Sequence, residues 1–180
     1  MAAVTRVAAV AAALLAVACA APIRTELHET DLPQKIEKLA VVGLRAEPSL
    51  GFEIPRDALA VVTARIVSAL GSETQLRVVE PSDSDAILTG AIRRYSERDG
   101  SASGVRHPAS VWFALELRDS KGRVVWTGTY EETQTALSDD MGSLPRAWER
   151  GFRWVTAADL ADYGARMLVR ELAREVATWS

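Results

Sequence analysis

Three successive segments constrain the fold of this 180-residue chain more than anything else in it: "DAILTGAIRRYSERD" (85–99), "ASVWFALELRDS" (109–120) and "KGRVVWTGTYEETQ" (121–134). The first two are rich in β-branched, aromatic and alternating residues. In the third, Val125, Thr127 and Thr129 alternate with Trp126, Gly128 and Tyr130. A two-residue period puts successive side chains on opposite faces, the signature of half-buried strands. A Gly/Ser loop, "GSASGVRHP", joins the first pair, and Lys121-Gly122 turns the second. Strands joined by such local loops form an antiparallel meander.

The flanking sequence supplies the elements that cover it. "KLAVVGL" (Lys38–Leu44) is a short apolar run expected to be a strand buried on both faces. "RDALAVVTARIVSALG" carries Leu59, Val62, Ile66 and Leu70 three and four apart, with Pro55 suited to the first helical turn and Gly71 to the exit. "QLRVVEP" (Gln75–Pro81) reads as a strand. Near the carboxy terminus, Thr156 with Asp159 forms a capping-box signature. Leu160, Tyr163, Met167, Leu168, Glu171, Leu172 and Val176 then trace a mostly apolar stripe. The order β-α-β-β-β-β-α predicts an α+β fold: a mainly antiparallel sheet of about five strands with two main helices packed on one face. With one cysteine in the chain there is no disulfide framework, so packing alone holds the core.

That cysteine lies in "LLAVACAAPIRTEL" (14–27), at the end of an apolar run from Val7 to Ala18 preceded by Arg6. A membrane-spanning helix needs about 20 apolar residues, and this run is shorter. A basic start, a short apolar stretch and a small-residue exit describe a secretory signal peptide over residues 1–18. The segment resembles a bacterial lipoprotein signal, the lipobox, with Ala16 where that motif usually has Leu. The resemblance implies cleavage before Cys19 and acylation of its sulfur and nitrogen with fatty chains such as palmitate. An ordinary signal peptide, cut after Ala18 or Ala20, is the alternative; it would leave an exported lone thiol or remove it. Each buried acyl CH₂ is worth about 0.8 kcal/mol, and stable anchoring takes more than one chain. Ala20 in place of Asp implies the outer membrane, with the body facing the periplasm. Residues 19–36 then read as a lipidated, flexible tether with an extended reach of roughly 55 Å, and 37–180 as one globular domain.

The inventory for chemistry is thin. His28 and His107 have no partners at metal-ligand spacing, so neither a metal nor another cofactor is expected. "GSASG" sits between strands rather than opening a helix, unlike a phosphate loop or a nucleophile elbow. Glu131 and Glu132 are neighbours on a strand and point to opposite faces, so they cannot converge on one atom. Asp139-Asp140 suits the start of a helical turn. No catalytic residue is expected. The net charge of −3 gives no reason to expect nucleic acid. Trp112 and Trp126 read as packing residues within strands. Trp148, Arg150, Arg153 and Trp154 bracket a short connecting segment, and form either packing or a partner-docking patch, because Trp and Arg are enriched at binding hot spots.

The blocks "KLAVVGL", "IVSALG", "QLRVVE", "DAILTGAIRRY" and "VWFALELRDSKGRVVWTGTY" together resemble the α+β domain of several exported bacterial proteins. These are the curli-secretion lipoproteins, the lipoprotein activators of penicillin-binding proteins, and the amino-terminal domain of TolB. The strands Leu88-Thr89-Gly90 and Gly122 to Trp126 carry the likeness, which spans Lys38 to Thr135; "RGFRWVTAADLADYG" lies outside it and resembles a segment of an otherwise uncharacterised lipoprotein family. It implies a non-catalytic envelope lipoprotein that binds a protein partner. The alternative is a subunit of an export or lipid-transport apparatus that oligomerises or holds a hydrophobic ligand; its oligomeric state is open. An enzyme ranks behind both.

Overall fold

The computed structural model describes residues 22–28, 35–101, 104–134 and 155–178. Its elements are β1 (Ile23–Leu27), β2 (Lys38–Val41), β3 (Arg45–Ala46), α1 (Ala58–Glu73), β4 (Arg77–Val78), a 3₁₀ turn (Pro81–Asp83), β5 (Ala86–Ser96), β6 (Asp99–Ser101), β7 (Gly104–His107), β8 (Ser110–Asp119), β9 (Val124–Thr133) and α2 (Ala157–Thr178).

The meander forms as the alternation predicts. β5 pairs antiparallel with β8, and β8 with β9, through registers such as Leu88↔Leu117 and Phe113↔Tyr130. Val111, Phe113, Leu115 and Leu117 of β8 are buried, while Trp112, Ala114, Glu116 and Arg118 between them stay half-exposed on the other face. The helices cover the first face. Val62, Ile66 and Leu70 of α1 and Leu160, Leu168 and Leu172 of α2 join Trp126, Tyr130 and Phe113 in one core. The Phe113 and Tyr130 rings lie 5.5 Å apart at 47°, a tilted geometry favoured by the aromatic quadrupole.

The sheet is larger and more mixed than five antiparallel strands. Its order is β1-β9-β8-β5-β2-β4, with β3 also on β5, and β6-β7 form a separate hairpin where a plain Gly/Ser loop is expected. β2 and β3 run parallel to β5, and β4 parallel to β2, because α1 is the crossover that returns the chain in the same direction. Only Arg77 and Val78 of the predicted strand Gln75–Pro81 pair. The α+β class, with its helices against the sheet, is as predicted.

The largest departure is at the amino terminus. Ile23–Leu27, expected in a tether, is an edge strand antiparallel to β9, from Ile23↔Tyr130 to Leu27↔Trp126. Hydrogen bonds extend the pairing at both ends, Glu131 N–H to the Pro22 carbonyl at 2.8 Å and His28 N–H to the Val125 carbonyl at 2.9 Å. β9 needs a partner for its outer row of backbone groups, and β1 supplies it.

α1 continues through Gly71 to Glu73. It closes at Thr74, whose N–H and hydroxyl both donate to the Leu70 carbonyl. The capping box of α2 forms reciprocally: Thr156 N–H donates to Asp159 Oδ2 at 3.0 Å, and Asp159 N–H to Thr156 Oγ1 at 3.1 Å. Of the predicted stripe, Leu160, Leu168 and Leu172 are buried, and Tyr163, Met167, Glu171 and Val176 are half-buried at its margins.

Two carboxylates fix the opposite end of the sheet. Asp119 Oδ1 accepts the N–H groups of Lys121 and Arg123, both at 2.9 Å, and Oδ2 accepts Arg123 Nε. Burial works to raise this carboxyl, but the Arg123 N–H and guanidinium and the Lys121 N–H outweigh it and hold the group below its ordinary value. Asp85 is lowered chiefly by the Glu37 N–H, against some desolvation, with the Lys38 N–H adding to it. A carboxyl whose folded value is depressed stabilises the fold above its unfolded value, and that stability is lost as pH falls through the folded value. The urea midpoint is therefore expected to hold above about pH 5, to fall as the pH is lowered through the unfolded value of about 3.9 and on through the depressed folded values, and to fall by less in Asp119→Asn.

Candidate binding surfaces

The site residues expected from the sequence divide sharply. Cys19, Trp148, Arg150, Arg153 and Trp154 lie outside the described residues, as do Asp139 and Asp140. The remaining groups are dispersed. His28 Nε2 is 3.1 Å from Thr127 Oγ1, with Nδ1 3.8 Å from Glu26. His107 is exposed at the end of β7, opposite Asp99. Among the described residues no group of three His, Cys, Asp or Glu could hold a metal ion. Glu131 and Glu132 point to opposite faces as expected: Glu131 lies 3.5 Å from Arg94, whereas Glu132 accepts the Tyr130 hydroxyl at 2.7 Å.

Trp126 is fully buried in the core, but Trp112 is on the other face of the sheet, in a cluster not foreseen from the sequence. The register shifts between Ile92 and Arg94, which makes Arg93 an extra residue and turns both arginines toward the outer face. Arg94 stacks on Phe52 at 4.6 Å and stands 5.7 Å from Trp112, and Arg93 lies 5.4 Å from the same indole. Stacked guanidinium–aromatic contacts of this kind hold long side chains in place. Arg94 Nη1 also reaches Ser110 Oγ at 3.4 Å, and Ser110 lies 2.7 Å from Thr133 Oγ1. Arg94 Nε and Trp112 Nε1 are buried and meet no acceptor among the described residues. The doublet "RR" inside an alternating strand was the one sequence signal of the bulge.

Phe52 reaches this cluster from the loop after β3, which follows the end of β5. Ser49 N–H and Oγ both donate to the Arg93 carbonyl at 2.9 Å, and Phe52 N–H donates to the Ser49 carbonyl at 3.0 Å. Between them Leu50 is fully exposed, and Gly51 has φ +81°, a left-handed conformation that suits glycine.

A cavity of about 520 Å³ opens at the other end of the molecule, where α1 and α2 finish. Ile36, Leu76, Ala173 and Val176 give it apolar walls, and Lys35, Glu37, Glu73 and Arg77 a charged rim. Arg170 grips Glu73 through Nε at 2.8 Å and Nη2 at 3.1 Å, tying the helix ends together beside the opening. Among the described residues, no helix is long and apolar enough to cross a membrane.

These features define a two-layer α+β domain with an aromatic–arginine cluster on its open sheet face. The sequence matches no protein-family model and no curated protein sequence. Solved structures with a similar fold exist. PelC from Paraburkholderia phytofirmans, solved as a dodecamer, superposes with a TM-score of 0.56 at 18% identity, covering 83% of this chain and 97% of that one. A single-residue variant of the same PelC dodecamer gives 0.56 and 18%, covering 84% and 95%. A Xanthomonas campestris protein of family DUF330 gives 0.48 and 17%, covering 85% and 93%. At these identities the likeness is one of fold.

Proposed function

We propose that this chain is a non-catalytic, lipid-anchored accessory protein of the bacterial cell envelope. In this reading it is held by acylated Cys19, faces the periplasm from the outer membrane, and binds a protein partner there. The observation that carries the reading is the lipobox-like run ending at Cys19, directly before a folded α+β domain. Trp148, Arg150, Arg153 and Trp154 are the proposed docking residues, and the Phe52–Arg94–Trp112 cluster offers a second aromatic–arginine surface of the same character. Replacing Cys19 by Ser is expected to abolish incorporation of radiolabelled palmitate and move the protein from the envelope pellet to the soluble fraction. Unchanged sedimentation and labelling would refute the anchor. Trp148→Ala and Arg150→Ala are expected to weaken in-cell cross-linking to one envelope protein over a generic lipoprotein control.

A second reading, an oligomerising or ligand-holding subunit of an export or lipid-transport apparatus, is favoured by two observations. The PelC of similar fold is a dodecamer, and the cavity has the size of a small-molecule site. Native mass spectrometry of the detergent-extracted protein separates the readings. Multiples of the chain mass or a bound lipid support the second, and an empty monomer excludes it.

A further inference from the structure

The register of β1 decides which end of the domain faces the membrane. Ile23 pairs with Tyr130, so the chain enters at the end of the sheet where β9 and β5 finish and β8 begins. Cys19 precedes Ile23 by four residues, a reach of at most about 14 Å even when fully extended. This inference rests on acylation of Cys19; given that, the entry end of the sheet is held close to the headgroups, without the longer reach of a free tether. β3 runs parallel to β5, so the loop that follows it emerges at the same end. That loop presents Leu50, the most exposed large apolar side chain among the described residues.

We propose that the Leu50–Gly51–Phe52 turn is a second, non-covalent membrane contact, seated in the phospholipid interface of the leaflet that holds the acyl chains. Three features fit this occupant. The turn is braced against the end of β5 through Ser49, so Leu50 is held outward at little further ordering cost. Phe52 is partly exposed and leans on Arg94, an aromatic with an apolar body at an interface. Arg45 and Arg93 flank the turn, pair with Glu47 and remain about half-exposed, where headgroup phosphates would meet them. β1 and β3 are four strand positions apart, roughly 19 Å at the usual spacing. Anchor and turn are therefore two separated points of attachment, and they set the tilt of the body on the bilayer.

The test uses the mature acylated chain in phosphatidylethanolamine/phosphatidylglycerol vesicles. Leu50→Cys is labelled with a nitrobenzoxadiazole dye, and Lys121→Cys at the opposite end of the sheet serves as control. Acylated Cys19 offers no thiol, so each variant takes one label. Flotation with the vesicles reports the anchor. The expected result is a blue-shifted dye at position 50, quenched by doxyl lipids about twofold or more over the dye at 121. A protein that floats with both dyes equally unquenched overturns the turn and leaves the anchor standing. A protein that stays in solution, or takes two labels, overturns the anchor and this inference with it. A dye at position 50 shielded equally in lipid-free detergent, with a doubled native mass, assigns the surface to a second copy and also overturns the proposal.

Discussion

Gly90→Ala is expected to destabilise the domain by about 3 kcal/mol or more, toward the severe end of overpacking substitutions. A Cβ at this position would stand 2.1 Å from the Ala114 carbonyl oxygen, 3.0 Å from Leu44 Cδ2 and 3.1 Å from Leu115 Cδ2. The leucines can shift, but the carbonyl belongs to the β8 backbone in the middle of the sheet. Relief therefore has to come from separating β5 and β8, which breaks ladder hydrogen bonds in a buried place. Gly71→Ala is the matched control with the opposite sign. Nothing lies within 4 Å of the added carbon, and the residue is helical, so a gain of about 0.5–1 kcal/mol is expected. Urea unfolding followed by tryptophan emission reads both. A Gly90→Ala protein as stable as the parent would refute the close approach of the two strands.

Gly164→Ala is the second large effect, and it tests how α2 sits on the sheet. The added Cβ would lie 2.3 to 2.6 Å from three ring carbons of Tyr130. The helix lies on β9 at this glycine, and the Tyr130 ring occupies the space a side chain would take. The ring is fully buried and its hydroxyl is committed to Glu132, so it cannot swing away without losing that bond. A cost of about 2–3 kcal/mol is expected. Shrinking the obstacle should relieve it: Gly164→Ala combined with Tyr130→Leu is expected to be less destabilised than the sum of the two single changes, by about 1–2 kcal/mol. Strict additivity in this double-mutant cycle would mean that the two residues do not meet.

What could be read in advance follows the range of the interactions involved. The strands over 86–96, 110–119 and 124–133 owe their form to alternation within each segment, and the start of α2 to a box of four residues; both signals are local. β1 was hidden because its stabilising partner lies a hundred residues away: Arg24, Thr25 and Glu26 are exposed, so burial leaves no pattern in "IRTEL". The short parallel pairings of β3 and β4 are decided in the same non-local way by the path of α1. The Phe52–Arg94–Trp112 cluster combines three distant segments through a bulge, and only the Arg93-Arg94 doublet hinted at it. The candidate site at Trp148–Trp154 rests on composition alone, and it falls outside the described residues. The proposed lipidation at Cys19 rests on a contiguous motif, which needs no tertiary partner to be read.

The pairing of β1 also has a mechanical consequence. A pull on the amino terminus draws Ile23–Leu27 along its own axis, at right angles to the hydrogen bonds that join it to β9. All of those bonds then bear load together in shear, rather than parting one after another as they would if the strand were peeled from its other end. The attachment is strongest in the direction from which a membrane would tug.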